Sequence, residues 1–495
     1  MYNDKYRYLT LSLLFAVMAL TREFYFFHRG GLHVDETLSF VLSSYSDFGW
    51  TSIFNELNKI SGIEVQRKIL FSSSSISDAL KDIVSLWKDN RDTPHSNLYY
   101  SFLRLWFVGV DVNGRYGFAS QWAMQLNILL FLISYIFICK TVKLFTPSLL
   151  ACVLCLSAIF MNNISLSNSI FLRPYQLQET LLCIYTYFSF RLIALNQLNL
   201  LSAITYSFAT AFAILSGYFA VFYVSGVALA TAVVAFISNK DNLKKAFIFS
   251  IGYIFLTSIF TFAIYPPYFF VNGNRQNEAM HKVGNLLENA FASIQSFNHS
   301  MLLIYGLYVS VILTAIFFIA SLTNGKLKKL DYYALFIGCY GLLWIFIVMM
   351  LSPYKGELRY IYPAVFISCV FYIYSYKLLS GLSKYLSNAV TAFSIFAIVI
   401  CHYVFINPEY QNGGMESQCA MIKPGAAIIT NEPWKLTYLS QCLSRHELYY
   451  ISSTINASEI SAVNPEYIIT DKSVNFGGYV NSGKKIMSYF SIYQK

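Results

Sequence analysis

Apolar runs of about 20 residues, the length at which a helix crosses the hydrocarbon of a bilayer, recur along most of this 495-residue chain. They lie near residues 8–27, 117–139, 147–165, 175–194, 199–216, 217–237, 246–266, 300–321, 331–351, 358–379 and 385–405. No other feature limits the fold as strongly. Backbone in lipid has no water to bond, and a helix closes its hydrogen bonds within one segment. Charge is scarce to match: Lys, Arg, Asp and Glu make up 12% of the residues, against roughly 25% in soluble domains. With 56% hydrophobic residues, 43 Phe and 39 Tyr, the chain cannot cover a soluble surface of its own size. The same figures exclude disorder, coiled coil, collagen and a basic nucleic-acid-binding domain. The predicted fold class is an all-α polytopic membrane protein of about 11–12 transmembrane helices, with a small C-terminal α/β extracytoplasmic lobe.

The few charges report topology. Cytoplasmic loops of membrane proteins carry an excess of Lys and Arg. With Lys5 and Arg7 inside, alternate short loops should be basic, and they are: Lys140 and Lys143, then Arg191, then Lys240, Lys244 and Lys245, then Lys326, Lys328 and Lys329, then Lys377 and Lys384. The net charge of +10 is therefore read as orientation, with no nucleic acid among the partners. The expected placement is a bacterial inner (cytoplasmic) membrane, with a cytoplasmic N-terminus and a periplasmic C-terminus. The first run lacks a small-residue cleavage site and reads as a retained helix. Segment 97–110 is apolar but short, and fits a re-entrant helix, an interfacial helix or an extra short span.

Two domains are predicted: a transmembrane domain over 1–406, with its first outer loop at about 28–116, and a small α/β domain over 407–495. In the tail, Gly425–Thr430 follows Lys423-Pro424 and Tyr467–Thr470 follows Asn464-Pro465. Each reads as a short buried strand introduced by a turn, with a helix-like segment, Glu432–Tyr449, between them. An amphipathic stretch, Ala279–Phe297, is expected in the second outer loop. Seven of the nine cysteines sit in apolar runs and read as packing; Cys152 and Cys155 are a C-x-x-C on such a run. Cys419 and Cys442 lie in the tail, where an oxidising compartment permits a disulfide.

Two segments carry candidate chemistry. Gly30-Gly31-Leu32-His33-Val34-Asp35-Glu36-Thr37 follows the first span directly, which sets two adjacent carboxylates at the membrane–water boundary. Carboxylates beside lipid are costly and tend to be kept for a task. Asp35 there can accept a proton from an acceptor hydroxyl, or it can cap a helix starting at Thr37. The second segment, Asp92-Thr93-Pro94-His95, closes the first loop before Leu98-Tyr99-Tyr100-Ser101-Phe102-Leu103-Arg104-Leu105-Trp106. His95 there can orient a carboxylate or bind phosphate, or the segment is a solvated turn.

An Asp-Glu pair after the first span, a D-x-x-H element closing the first loop, and L-Y-Y-x-x-L-R-L-W together resemble the GT-C superfamily of membrane glycosyltransferases. The likeness is to its protein O-mannosyltransferase and aminoarabinose-transferase branch. It is clearest over about residues 8–195 and returns near 357–363. Where that branch commonly reads His-Pro-Pro-Leu-Tyr-Tyr, this chain reads His95-Ser96-Asn97-Leu98-Tyr99-Tyr100. The resemblance implies Asp35 as catalytic base with Glu36 beside it, and a polyprenyl-phosphate sugar donor used away from the cytoplasm. The acceptor would be a glycan, lipid or protein; a surface glycan such as lipopolysaccharide O-antigen is the class expected.

The donor phosphate needs basic side chains. Arg173 in Phe171-Leu172-Arg173-Pro174-Tyr175 and Arg359 in Glu357-Leu358-Arg359-Tyr360 stand at outer span ends, with Tyr175 and Tyr360 as further substrate contacts beside Asp92 and His95. Guanidinium is the preferred fork for phosphate oxygens, and a leaving phosphate gathers charge in the transition state. Each Arg can instead be an interfacial anchor reaching to headgroups. Lys355, Arg275, His281 and Lys282 are weaker candidates.

The sequence holds no P-loop, no G-x-G-x-x-G after a strand, no H-E-x-x-H and no paired C-x-x-C. No cofactor is expected. A metal on His33, Asp35, Glu36 and His95 is chemically conceivable, but metal-independent, inverting transfer is the expectation. Two rivals remain. A flippase for lipid-linked glycan predicts ionisable residues along a mid-span path, whereas these spans are almost charge-free. A glycan polymerase or ligase predicts a large, basic late outer loop.

Overall fold

A computed structural model describes residues 2–44, 58–60, 62–70, 73–89, 97–112, 115–217, 219–269, 284–299, 302–352, 356–430, 435–443, 449–452, 460–461, 464–472, 477–487 and 489–495. Eight of the described helices are long and apolar enough to cross a membrane, or nine if a bent pair counts as one span. The chain is a multi-pass membrane protein. It divides into two compact units: Met1–Phe24, Arg91–Leu98 and Asn127–Glu409 form one, and Tyr25–Asn90, Tyr99–Leu126 and Tyr410–Lys495 form the other.

The first unit is helical. Most predicted spans appear as single helices, among them Ala220–Ser238, Leu243–Ile264 and Lys384–Val404. Their outer faces carry large apolar side chains such as Leu20, Ile254, Phe255 and Phe393, each more than 60% exposed, as lipid contact requires. Three predicted spans are not among those eight helices. The run 147–165 becomes Leu149–Phe160 and Asn163–Ile170, bent by 67°. The run 175–194 is the helix Tyr175–Leu195, which buries Gln176, Gln178 and Glu179. The run 199–216 is only 15 residues of helix, Leu200–Ile214.

Hydroxyl groups bind these helices together where water is absent. Tyr185 Oη donates to the Val224 carbonyl at 2.9 Å, and Tyr206 Oη donates to Tyr185 Oη at 3.1 Å. Thr231 Oγ1 lies 3.1 Å from Tyr206 Oη and 2.6 Å from Tyr333 Oη. A Tyr ring packs as an aromatic while its hydroxyl finds a partner on the next helix. At the basic end, Lys377 Nζ and Tyr374 Oη both donate to Asp331 at 2.8 Å, joining the start of Lys329–Leu351 to Ser368–Leu382.

The second unit contains a six-stranded sheet in the order β1-β3-β2-β4-β6-β5, built from β1 (Asn58–Ile60), β2 (Ala427–Ile429), β3 (Tyr449–Ser452), β4 (Tyr467–Thr470), β5 (Val480–Ile486) and β6 (Phe490–Gln494). The central strands β3, β2 and β4 are parallel; β2 and β4 are the two strands anticipated from the tail. The helix between β2 and β3 is Leu436–Leu443, shorter than the segment 432–449 suggested. Segment 97–110 resolves into the nine-residue helix Leu98–Trp106, at 1.5 Å per residue too short to cross a bilayer. In the first unit, the second outer loop supplies the helix Leu286–His299. Sequence reasoning did not anticipate that β1, from the first loop, pairs antiparallel with β3. Three residues of strand carry no readable period.

Cys419 and Cys442 form a disulfide across a sequence separation of 23. Closing a loop of that size restricts the unfolded chain by about 3 kcal/mol. Replacing both cysteines with Ser should lower the thermal unfolding midpoint of the full-length protein in detergent, and wild type under reductant should shift equally.

Candidate active site

In the second unit, the residues after the first span are built into the tail. Gly30 N–H donates to the Gln411 carbonyl at 2.8 Å, and Gln441 clamps Leu32 by both its backbone N–H and its carbonyl at 2.9 Å. A Cβ on Gly30 would stand 2.3 Å from the Asn412 carbonyl oxygen, so the close approach admits only glycine.

The helix Val34–Ser43 then starts three residues earlier than Thr37, and this separates the two carboxylates by role. His33 is the N-cap: its Nδ1 accepts the Asp35 N–H at 3.2 Å, and Glu36 Oε2 accepts the His33 N–H at 2.6 Å. Together they form a capping box with His in the place usually taken by Ser or Thr. Glu36 also pairs with Arg29 at 2.8 Å, both side chains almost wholly buried, and Arg29 lies over the Phe26 ring at 4.0 Å. Glu36 is thus held by a cap and an ion pair. Asp35 is not the cap. Its side chain stays 25% exposed, with Oδ2 3.7 Å from His33 Nδ1, and His33 packs edge-on to Tyr410. Asp92 and His95 lie outside the described residues, as do Lys355, Arg275, His281 and Lys282. Among the described residues, no three His, Cys, Asp or Glu side chains converge to hold a metal ion.

In the first unit, the two arginine segments meet through their tyrosines. The Tyr175 ring stands perpendicular to the Tyr360 ring at 6.3 Å, near-perpendicular to Tyr362 at 6.3 Å, and parallel to Phe171 at 6.0 Å. Phe219 closes on Tyr360 at 6.3 Å. Segments almost two hundred residues apart in sequence therefore form one aromatic cluster, flanked by Arg173 and Arg359. Arg359 lies 5.2 Å from the Tyr360 ring centroid, and its Nε pairs with Glu357 Oε2 at 2.5 Å. A planar guanidinium braced by a carboxylate and an aromatic face is restrained in orientation.

Glu409 belongs to this cluster and was not foreseen. It accepts a hydrogen bond from Tyr362 Oη, and its backbone N–H donates to Ser167 Oγ at 2.9 Å. Burial raises its carboxyl above the ordinary value; Tyr362 and Arg359 oppose the rise and Glu357 adds to it. The signal was available. Glu409 follows the last span at once, the position that singled out Asp35. An apolar crevice is lined by Phe297, Leu307, Leu342, Ile345, Ile361 and Val365, the last two just after Arg359 in sequence.

Two measurements test these assignments. In thermal unfolding, Glu36→Gln should cost about 3 kcal/mol because it strands a buried Arg29, whereas Asp35→Asn should stay within about 0.5 kcal/mol. For Glu409, the folded state holds its proton to higher pH than the unfolded chain, whose carboxyl titrates near 4.5. Stability should therefore fall as pH rises above that value, and Glu409→Gln should flatten the slope.

No family model matches the sequence, and no curated protein does. Among solved structures, the chain is similar to the crystal structure of ArnT from Cupriavidus metallidurans bound to undecaprenyl phosphate. The identity is 10% and the TM-score 0.51, with 97% of this chain and 97% of that chain covered. ArnT is an aminoarabinose transferase of the GT-C superfamily. This chain shares the fold of that structure along nearly its whole length.

Proposed function

We propose that this protein is an integral-membrane glycosyltransferase that moves a sugar from a polyprenyl-phosphate donor to an acceptor hydroxyl on the periplasmic side. The observation that carries the reading is the likeness, over 97% of both chains, to a transferase solved with undecaprenyl phosphate. The first unit supports it with an arginine–tyrosine cluster. The cluster suits a phosphate, and in this reading Arg359 and Arg173 stabilise the departing one.

Asp35 is the proposed base. Its backbone N–H serves the cap while its carboxylate stays partly exposed, so the carboxylate can take the proton of the acceptor hydroxyl as that oxygen attacks the anomeric carbon. The glycosidic bond forms, the bond to phosphate breaks, and the sugar inverts. Glu36 supports the turn that presents Asp35. Asp92 and His95 are kept as substrate-contact candidates, and a cell-surface glycan such as lipopolysaccharide O-antigen as the acceptor class. Transport fits less well: Arg22 and Glu179, buried charges in the first unit, bond to protein groups and line no described path.

Sugar transfer from undecaprenyl-phosphate-linked donors, followed with purified protein in lipid, tests the reading. Asp35→Asn should lower kcat by about 10²–10⁴-fold, and Arg359→Ala should lower kcat/KM by about 10²–10³-fold. Full activity in Asp35→Asn would remove it as the base.

A further inference from the structure

The helix Tyr2–Phe27 carries a buried arginine, Arg22, 1% exposed. A charge on a spanning helix is costly and persists only with partners. Arg22 has several. Its Nη1 donates to the Met18 carbonyl at 3.1 Å, and its Nη2 to the Phe160 carbonyl at 3.1 Å and to Ser165 Oγ at 3.0 Å. Its Nε donates to Ser169 Oγ at 2.9 Å, and its guanidinium lies 3.9 Å from the Phe131 ring centroid.

These bonds do two separable jobs. The first is to complete the break between Leu149–Phe160 and Asn163–Ile170. Irregular backbone at membrane depth survives only if its polar groups find protein partners. Asn162 Nδ2 takes the Ala158 and Ile159 carbonyls at 3.2 and 2.7 Å, and Arg22 takes that of Phe160. The break is then satisfied.

The second job lies beyond the break. Ser169 Oγ, held by Arg22, donates to Gln176 Oε1 at 2.8 Å; Gln176 Nε2 donates to Glu179 Oε1 at 3.0 Å, and Asn168 Nδ2 to Glu179 Oε2 at 3.2 Å. From another helix, Asn127 Nδ2 donates to the carbonyls of Ser169 and Phe171, both at 3.0 Å. Those carbonyls stand four and two residues before Arg173, whose own N–H returns to Phe171 at 2.7 Å. The turn from Phe171 to Tyr175 is gripped before it by Asn127 and after it by Gln176 and Glu179.

We infer that Asn127 and Arg22 are positioning residues, which fix this turn so that Arg173 and Tyr175 are presented to a lipid-linked phosphate. The inference rests on the proposed role of Arg173. The carbonyls of the helix break are taken by Asn162 and Arg22, whereas Asn127 bonds to carbonyls in the segment leading into Arg173.

The test is a double-mutant cycle on the purified full-length protein in detergent, titrated with undecaprenyl phosphate. Asn127→Leu keeps the branched shape and the number of side-chain heavy atoms and removes the amide donors. Arg173→Ala and Asn127→Leu should each weaken binding by about tenfold, and the double variant should bind no more weakly than Arg173→Ala. A general loss of packing would weaken binding again in the Arg173→Ala background, and such additivity overturns the inference. Wild-type affinity in Asn127→Leu beside weak Arg173→Ala also overturns it, while leaving Arg173 a phosphate ligand. Wild-type affinity in Arg173→Ala removes the role of Arg173 and the inference with it. Arg22→Lys, which keeps the charge but cannot serve all four acceptors, should weaken binding by a smaller factor than Asn127→Leu and add nothing to Arg173→Ala. Unfolding midpoints without ligand identify any variant that has lost its fold.

Discussion

Inside a bilayer no water is present to bond a stray polar group, and that constraint governs the first unit at every scale. Its helices are joined by Tyr and Thr hydroxyls, each paired across an interface. The one sharp helix break among its described residues is filled by an asparagine and an arginine that take the successive carbonyls left open. The cost of an unpaired buried donor or acceptor, about 1–3 kcal/mol, means such groups have to be settled before a turn at that depth can be used for binding. The Arg22 network is where structural need and proposed function touch, because the groups that complete the break also reach the turn carrying Arg173.

Adjacent carboxylates at the start of one helix end in different states for a geometric reason. Side chains one position apart on a helix point about 100° apart. Glu36, three residues after the N-cap, turns back onto the His33 N–H and meets Arg29, while Asp35 points elsewhere and remains partly exposed. Burial and pairing hold Glu36 at the helix start, while the Asp35 side chain stays partly exposed. The same economy operates around Arg359, where Glu357 and the Tyr360 ring restrain a flexible side chain and Tyr362 holds Glu409 close by.

Much of this was legible before any coordinates. Span positions, the tail strands at Ala427–Ile429 and Tyr467–Thr470, and the Cys419–Cys442 pairing follow from local patterns: apolar length, turn residues before short β-branched runs, and two cysteines in one lobe. The bend of 67° after Phe160 was not legible, since apolar length cannot tell a straight helix from one interrupted by Met161-Asn162. Nor was the strand Asn58–Ile60, whose three residues acquire meaning only beside β3. Glu409 stood at a position of known significance, yet its partner Tyr362 lies 47 residues away.

The sequence by itself determined the solvent of this protein and the inventory of its chemistry. Apolar length dictates lipid, and scarce charges at span ends mark where polar work can occur. Only the tertiary structure decided which of those charges act together. It separated Asp35 from Glu36, joined Tyr175 to Tyr360 and brought Glu409 to Tyr362. It also turned Arg22 from a lone charge in a spanning helix into the centre of a bonded network. The physical reason is range. Hydrophobic length and turn chemistry act over neighbouring residues, whereas hydrogen bonds and ring contacts require atoms within a few ångströms, and only the folded chain supplies that proximity.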